Sequence, residues 1–156
     1  MNVAGDFVVN ASVARVWQLF LDAQQLCRVM PGCEEAHQID ATHYEATLAT
    51  KVQFMTIRAH TVAEIVEAEE PSHVVVEMTG ETIAMAGAFR MRMTVDLQPE
   101  GEGTAVHYDI DLTMLGRLGS LGRPIVGATA KRLADQFASN VTRYLEESNP
   151  VSSSGT

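Results

Sequence analysis

The chain's reactive groups are five histidines, two cysteines and 20 carboxylates, and their spacing decides what they can do. His37, His43, His60, His73 and His107 are scattered, with no pair at i, i+4 on an expected helix. Zinc needs three or four ligands converging on one point, and no Cys–Cys or His–Glu–His spacing supplies them. No serine sits in a Gly-x-Ser-x-Gly elbow that would present a nucleophile. Cys27 and Cys33 flank Pro31-Gly32 and read as packing thiols, with a redox role as the sharper alternative. His60, His73 and His107 fall on expected strands as surface or edge residues, and Arg90 and Arg92 decorate an outer sheet face. An enzyme of the cyclase kind needs polar groups converging on a buried substrate, and the inward positions offer mainly Tyr44, Tyr108, Thr129 and Gln136. That pattern favours binding over catalysis.

The strongest pattern is apolar. Over 88–97, Phe89, Met91, Met93, Val95 and Leu97 alternate with Arg90, Arg92, Thr94 and Asp96. Successive strand side chains point to opposite faces, so this segment has one greasy face and one polar face. Met78 and Met85 lie just upstream. Methionine is unbranched and polarizable and fills irregular space. Both a core with flexible fillers and the wall of an adaptable cavity satisfy this pattern.

The elements around that strand follow from periodicity and punctuation. An opening strand covers 3–9. Ser12 caps a helix through Val13, Val16, Trp17 and Phe20, and Asp22 starts a second one that Pro31-Gly32 stops. Strands are expected at 34–39, 43–52, 55–67, 73–80, 83–97 and 104–113, with Val106, Tyr108, Ile110 and Leu112 facing in on the last. On 55–67 the shared face is Met55, Ile57, Ala59, Ala63 and Ile65. A leucine–glycine loop at 114–124 reads equally as a lid, a docking patch or a packed connection. Pro124 then opens a helix to about 147, with an apolar stripe at Ile125, Thr129, Leu133, Phe137, Val141 and Leu145. Residues 148–156 form a polar tail or the start of a truncated linker, leaving one domain at 1–147.

A chain of 156 residues is long enough for one real core. It has no apolar stretch of membrane-spanning length and no basic start followed by an apolar run, so a cytoplasmic protein with reduced cysteines is expected. The net charge of −9 is uneven: residues 1–113 hold 6 Lys/Arg against 17 Asp/Glu, while 114–156 hold 5 against 3. An acidic body repels phosphate backbones, which argues against nucleic acid. Arg117 and Arg123, on the loop, are the expected contacts for an acidic partner or an anionic membrane surface, while Lys131 and Arg132 read as a solvated helix face.

One strand, two short helices, six strands and a long helix is the order of the α+β helix-grip fold, in which a curved antiparallel sheet wraps the last helix. Six consecutive strands also suit a closed barrel. The residues themselves resemble the CoxG family of carbon monoxide dehydrogenase proteins, within the START-like, or SRPBCC, superfamily. The resemblance is carried by Gly5-Asp6-Phe7-Val8-Val9, by Val16-Trp17-Gln18-Leu19-Phe20-Leu21-Asp22, and above all by Cys27-Arg28-Val29-Met30-Pro31-Gly32-Cys33. Gly101-Glu102-Gly103-Thr104, the leucine–glycine loop and Ala130-Lys131-Arg132-Leu133-Ala134-Asp135-Gln136-Phe137 extend it over 3–146.

The resemblance implies a molybdenum hydroxylase type of carbon monoxide dehydrogenase as partner, and peripheral contact at the inner face of the cell membrane. Such an enzyme passes electrons to a respiratory quinone, menaquinone or ubiquinone, whose isoprenoid tail is insoluble because each CH₂ favours burial by about 0.8 kcal/mol. The expectation is a non-catalytic carrier for a quinone or another isoprenoid or lipid, with no covalent cofactor. The expected wall is Met55, Ile57, Met78, Met85, Phe89, Met91, Leu112, Leu118, Leu121, Ile125, Val126, Thr129 and Leu133, around several hundred Å³. The alternatives are an assembly or membrane-recruitment adaptor without ligand, and a polyketide cyclase-like enzyme.

Overall fold

The computed structural model describes residues 1–52, 54–83 and 86–147. Met85 and the expected tail 148–156 lie outside the described residues. Strand β1 (Asn2–Val9) leads into helices α1 (Val13–Leu21) and α2 (Ala23–Val29). Strands β2 (Cys33–Gln38), β3 (His43–Val52), β4 (Met55–Glu69), β5 (His73–Thr82), β6 (Gly87–Glu100) and β7 (Gly103–Gly116) follow, then a single 3-10 turn (Gly119–Leu121) and helix α3 (Arg123–Glu147). The sheet order is β1-β7-β6-β5-β4-β3-β2, with every neighbouring pair antiparallel. Strands β2 to β7 are therefore a continuous meander, and β1 returns to its β7 edge. With α3 lying across one face of the curved sheet, this is the helix-grip arrangement and not a closed barrel.

Local chemistry sets the element ends. The Ser12 hydroxyl accepts from the Arg15 backbone N–H at 3.2 Å, satisfying an orphan donor of α1. Asp22 ends α1 by donating its backbone N–H to Leu19 O, and starts α2 by accepting from Gln24 N and Gln25 N at 2.9 and 3.2 Å. The Gln25 amide also donates to this carboxylate, which holds its pKa below the usual value.

Four expectations change. Strand β7 runs on to Gly116, pairing Met114, Leu115 and Gly116 with Phe89, Ala88 and Gly87, so the leucine–glycine loop begins inside the sheet and β6 starts later than 83. On α3 the deeply buried residues are Val126, Ala134, Phe137, Val141 and Leu145, while Ile125 is half-buried and Gln136 exposed. A strict four-residue spacing advances about 40° per step on a 3.6-residue helix, so the expected stripe drifts off the buried face. Met55 is 44% exposed at the start of β4, beyond the end of the β5 ladder, which begins pairing at Ala59. Cys27 and Cys33 are not thiols: the turn after α2 brings them together as a disulfide, with Cα atoms 5.3 Å apart.

The core is solid where α1 meets α3. Phe20 packs its ring 6.1 Å from that of Phe137, over fully buried Val9, Val16, Val95, Val106, Val141 and Leu145. Trp17 donates its indole N–H to Glu70 Oε1 at 3.2 Å, which satisfies its polar edge. The histidines sit outside this core. His73 lies between Asp96 (2.6 Å) and Glu67 (2.7 Å), His107 pairs with Asp6 and His43 with Asp40, while His37 and His60 are exposed. Among the described residues no group of three His, Cys, Asp or Glu could hold a metal ion, and no helix is long and apolar enough to cross a membrane.

A candidate apolar ligand site

At the other end of the sheet the same helix leaves a gap. The concave faces of β3 to β7 meet the first half of α3 around a part-open cavity of about 190 Å³. Its position follows from strand polarity. Strands β3, β5 and β7 end at this end of the sheet and β4 and β6 begin there, so the β3–β4, β5–β6 and β7–α3 connections gather around it.

Each wall has a local cause. Alternation on β6 turns Phe89, Met91 and Met93 inward, and the register places Met91 between Met78 of β5 and Leu112 of β7. Alternation on β3 sends Leu48, Thr50 and Val52 to the same side. From α3 come Val126, Thr129, Ala130 and Leu133, and the loop adds Leu118 and Leu121. Leu118 is only 4% exposed, so this part of the loop is packed.

Met30 and Pro31 close the side below α2. They are held there by Gly32, whose φ of 79° is a left-handed conformation. A Cβ at Gly32 would collide with the Ala49 carbonyl oxygen, while the Gly32 carbonyl accepts from Ala49 N at 2.8 Å. The Cys27–Cys33 disulfide spans the same turn. Gly80 plays a second steric role: it lies opposite Phe89 in register, and the phenyl ring rests where a Cβ would stand.

Of the expected wall residues, Ile57, Met78, Phe89, Met91, Leu112, Leu118, Leu121, Val126, Thr129 and Leu133 line the cavity. Met55 and Ile125 do not, and Met85 lies outside the described residues. The volume is smaller than several hundred Å³; Phe89, Phe137 and four methionine side chains from the sheet line the interior. A second void of about 40 Å³ under α2 shares Met30, Leu48 and Met78 with the first. The wall residues not anticipated include Met30, Pro31, Thr50, Val52, Ala59 and Thr82. The period-two pattern of β3 carries a signal for Thr50 and Val52.

The wall is almost wholly apolar. Its polar side chains are Thr50, Thr82 and Thr129, and no ionisable side chain lines it among the described residues. Thr82 donates its hydroxyl to Gly87 O at 3.0 Å. The buried phenols lie elsewhere. Tyr44 donates to Leu21 O at 2.7 Å, and burial raises the pKa of both Tyr44 and Tyr108, so both stay neutral donors. Arg117 and Arg123 are exposed at this end and make no ion pair among the described residues.

The sequence matches the model of the carbon monoxide dehydrogenase CoxG family over residues 5–146. No curated protein matches the chain. Among solved structures, a conserved protein from Geobacillus kaustophilus is similar at 22% identity and a TM-score of 0.85, over 95% of this chain and 97% of that one. A START superfamily protein from Mycobacterium smegmatis is similar at 12% identity and a TM-score of 0.73, over 94% and 97%. At these identities the likeness shows the fold alone.

Proposed function

Since the chain belongs to the CoxG family of carbon monoxide dehydrogenase proteins, we propose that it is a non-catalytic carrier of a respiratory quinone, menaquinone or ubiquinone, between a molybdenum-containing carbon monoxide dehydrogenase and the membrane. The observation that carries the reading is the apolar, part-open cavity between sheet and helix. At about 190 Å³ it is below the roughly 300–1,000 Å³ of sites that enclose a drug-sized ligand. It is of the order known to accept a benzene-sized ring. In this reading the cavity takes the quinone ring, and the tail leaves through the opening or along the smaller void below α2. The Thr50 and Thr129 hydroxyls are donors suited to a quinone carbonyl, and a wall without charge leaves the ring's electron chemistry to the enzyme.

Solvent extraction of the purified protein followed by mass spectrometry tests this directly. The parent is expected to yield a quinone, and T129W, which fills the cavity with an indole, is expected to yield at least tenfold less while remaining folded. With the dehydrogenase present, T129W should slow quinone reduction and leave reduction of a water-soluble dye unchanged. A folded T129W that supports quinone reduction as well as the parent defeats the carrier reading. The exposed Arg117 and Arg123, without ion pairs among the described residues, favour one alternative, a docking adaptor for an acidic face of the dehydrogenase. In that case R117E or R123E abolishes quinone reduction while T129W does not.

A further inference from the structure

Cys27 and Cys33 bracket the most distinctive stretch of the sequence, and their disulfide has no role in carrying a ligand as such. It joins residues six apart, and so short a closure constrains far less of the unfolded chain than a long-range bridge. A chain of 156 residues with its own packed core does not depend on such a staple to fold. The effect of the bond is therefore local, and what lies beside it is the ligand space. Cys27 and Cys33 line the void of about 40 Å³ under α2, which shares Met30, Leu48 and Met78 with the main cavity. Both cysteines are half-buried, so neither is sealed in the core.

Helix α2 itself is held without the disulfide. Asp22 caps its start, the Gln24 amide donates to Ala36 O at 2.7 Å, and the Asn140 amide of α3 donates to Val29 O at 3.0 Å. Beyond Val29 the chain is held again at Gly32, whose carbonyl accepts from Ala49 N at 2.8 Å. Met30 and Pro31, which line the main cavity, lie between these two anchors. Within the turn, Cys33 N donates to Met30 O at 3.2 Å. A hydrogen bond of this kind is worth only about 1 kcal/mol net, so these contacts alone permit local opening. The covalent link from Cys27 to Cys33 spans the whole turn and suppresses that opening.

We propose that Cys27–Cys33 is a thiol–disulfide exchange site whose state sets how fast the cavity exchanges its guest. The reactant is a dithiol, which supplies two electrons and two protons. One dithiol sulfur attacks a sulfur of the bond, the S–S bond breaks, and the departing cysteine leaves as a thiolate that takes a proton. The second dithiol sulfur then attacks the mixed disulfide and releases the other cysteine in the same way. The reductant ends as a disulfide and this chain as two thiols. Oxidised, the turn holds the Met30–Pro31 wall in place; reduced, the wall moves with the freed turn and the passage between the two voids widens. The proposal deepens the carrier reading and rests on it for its purpose, but its test needs only an apolar cavity.

The full chain is loaded with N-phenylnaphthylamine, a dye that fluoresces in apolar surroundings, and its release to excess cyclodextrin is timed before and after dithiothreitol treatment. Release is expected to be about tenfold faster from the reduced protein and to slow again on reoxidation. Intact mass after alkylation shows both thiols in the reduced form alone. Hydrogen exchange quickens about tenfold at Met30, Gly32 and Cys33 and is unchanged on α3. C27S releases fast with or without dithiothreitol. Equal release from the two states, a bond that dithiothreitol leaves closed in the folded protein, or a C27S variant that releases slowly overturns the proposal. Exchange that quickens throughout the sheet also overturns it, since the bond is then a staple for the whole fold. Dye that neither form binds overturns it as well. Protein that yields quinone on extraction but releases dye equally in both states overturns the exchange site and leaves the carrier reading standing. Protein that yields no quinone but shows thiol-dependent release supports the exchange site and removes the quinone reading.

Discussion

The two halves of α3 face the same sheet and do different things. From Ala134 to Leu145 the helix buries Ala134, Phe137, Val141 and Leu145, with α1 supplying Phe20 from the side, and Ala134 and Phe137 also close the inner end of the cavity. From Val126 to Leu133 it presents Val126, Thr129, Ala130 and Leu133 to an opposite wall of methionines and threonines, and a cavity remains. Both halves are apolar, so the hollow is not a deficit of hydrophobicity. The two sets differ in size only at Thr129 against Phe137, and α1 has no counterpart at the hollow end.

That contrast can be broken by mutation. The largest effect is expected from L145A, which removes a fully buried side chain where nothing can collapse into the space, costing about 3 kcal/mol in chemical denaturation. C33S opens the disulfide that fixes the Met30–Pro31 wall, and the shortness of the loop it closes limits the loss to about 2 kcal/mol. L133A, in the hollow half, only enlarges a space already present and is expected to cost about 1 kcal/mol or less. Equal costs for L133A and L145A would mean that the two halves are packed alike.

The smallest effect concerns the surface of the solid end. Hydrogen bonds to Asp96 and then Glu67 raise the pKa of His73 above its ordinary 6.5. A raised pKa means that the folded protein binds the proton more tightly than the unfolded chain. The stabilisation is therefore fully present below the unfolded value and is lost as pH rises through the folded one. The difference in denaturation midpoint between parent and H73Q should be greatest below about pH 6 and shrink through the neutral range. A gap that widens with pH would contradict this pairing.

The solid end was the more legible of the two in the sequence. Trp17 and Phe20 at helical spacing, Ser12 and Asp22 as caps, and alternation through Leu97 specify that core, because large apolar residues recur at the period of their element. The cavity end was legible where it repeats the same signal, at Met78, Phe89, Met91 and Leu112. It was not legible at Pro31 or Thr82, since small or polar residues announce no burial. The disulfide escaped for a related reason. Two cysteines six apart meet only because Gly32 turns left-handed, and a single Pro-Gly pair does not state how sharply the chain returns. Met55 and Ile125 erred through strict periodicity carried past the end of a ladder and around a helix.

The glycine opposite Phe89 has a consequence for how such an interior changes size. The phenyl ring leans back over Gly80 because that residue has no Cβ. An alanine there would tip the ring forward into the cavity, so one methyl group on the neighbouring strand acts as a shim behind the wall. Capacity can then be retuned in an evolving lineage with every wall residue unchanged. Two relatives with identical linings can accept guests of different girth, and the residue that tells them apart stands outside the lining.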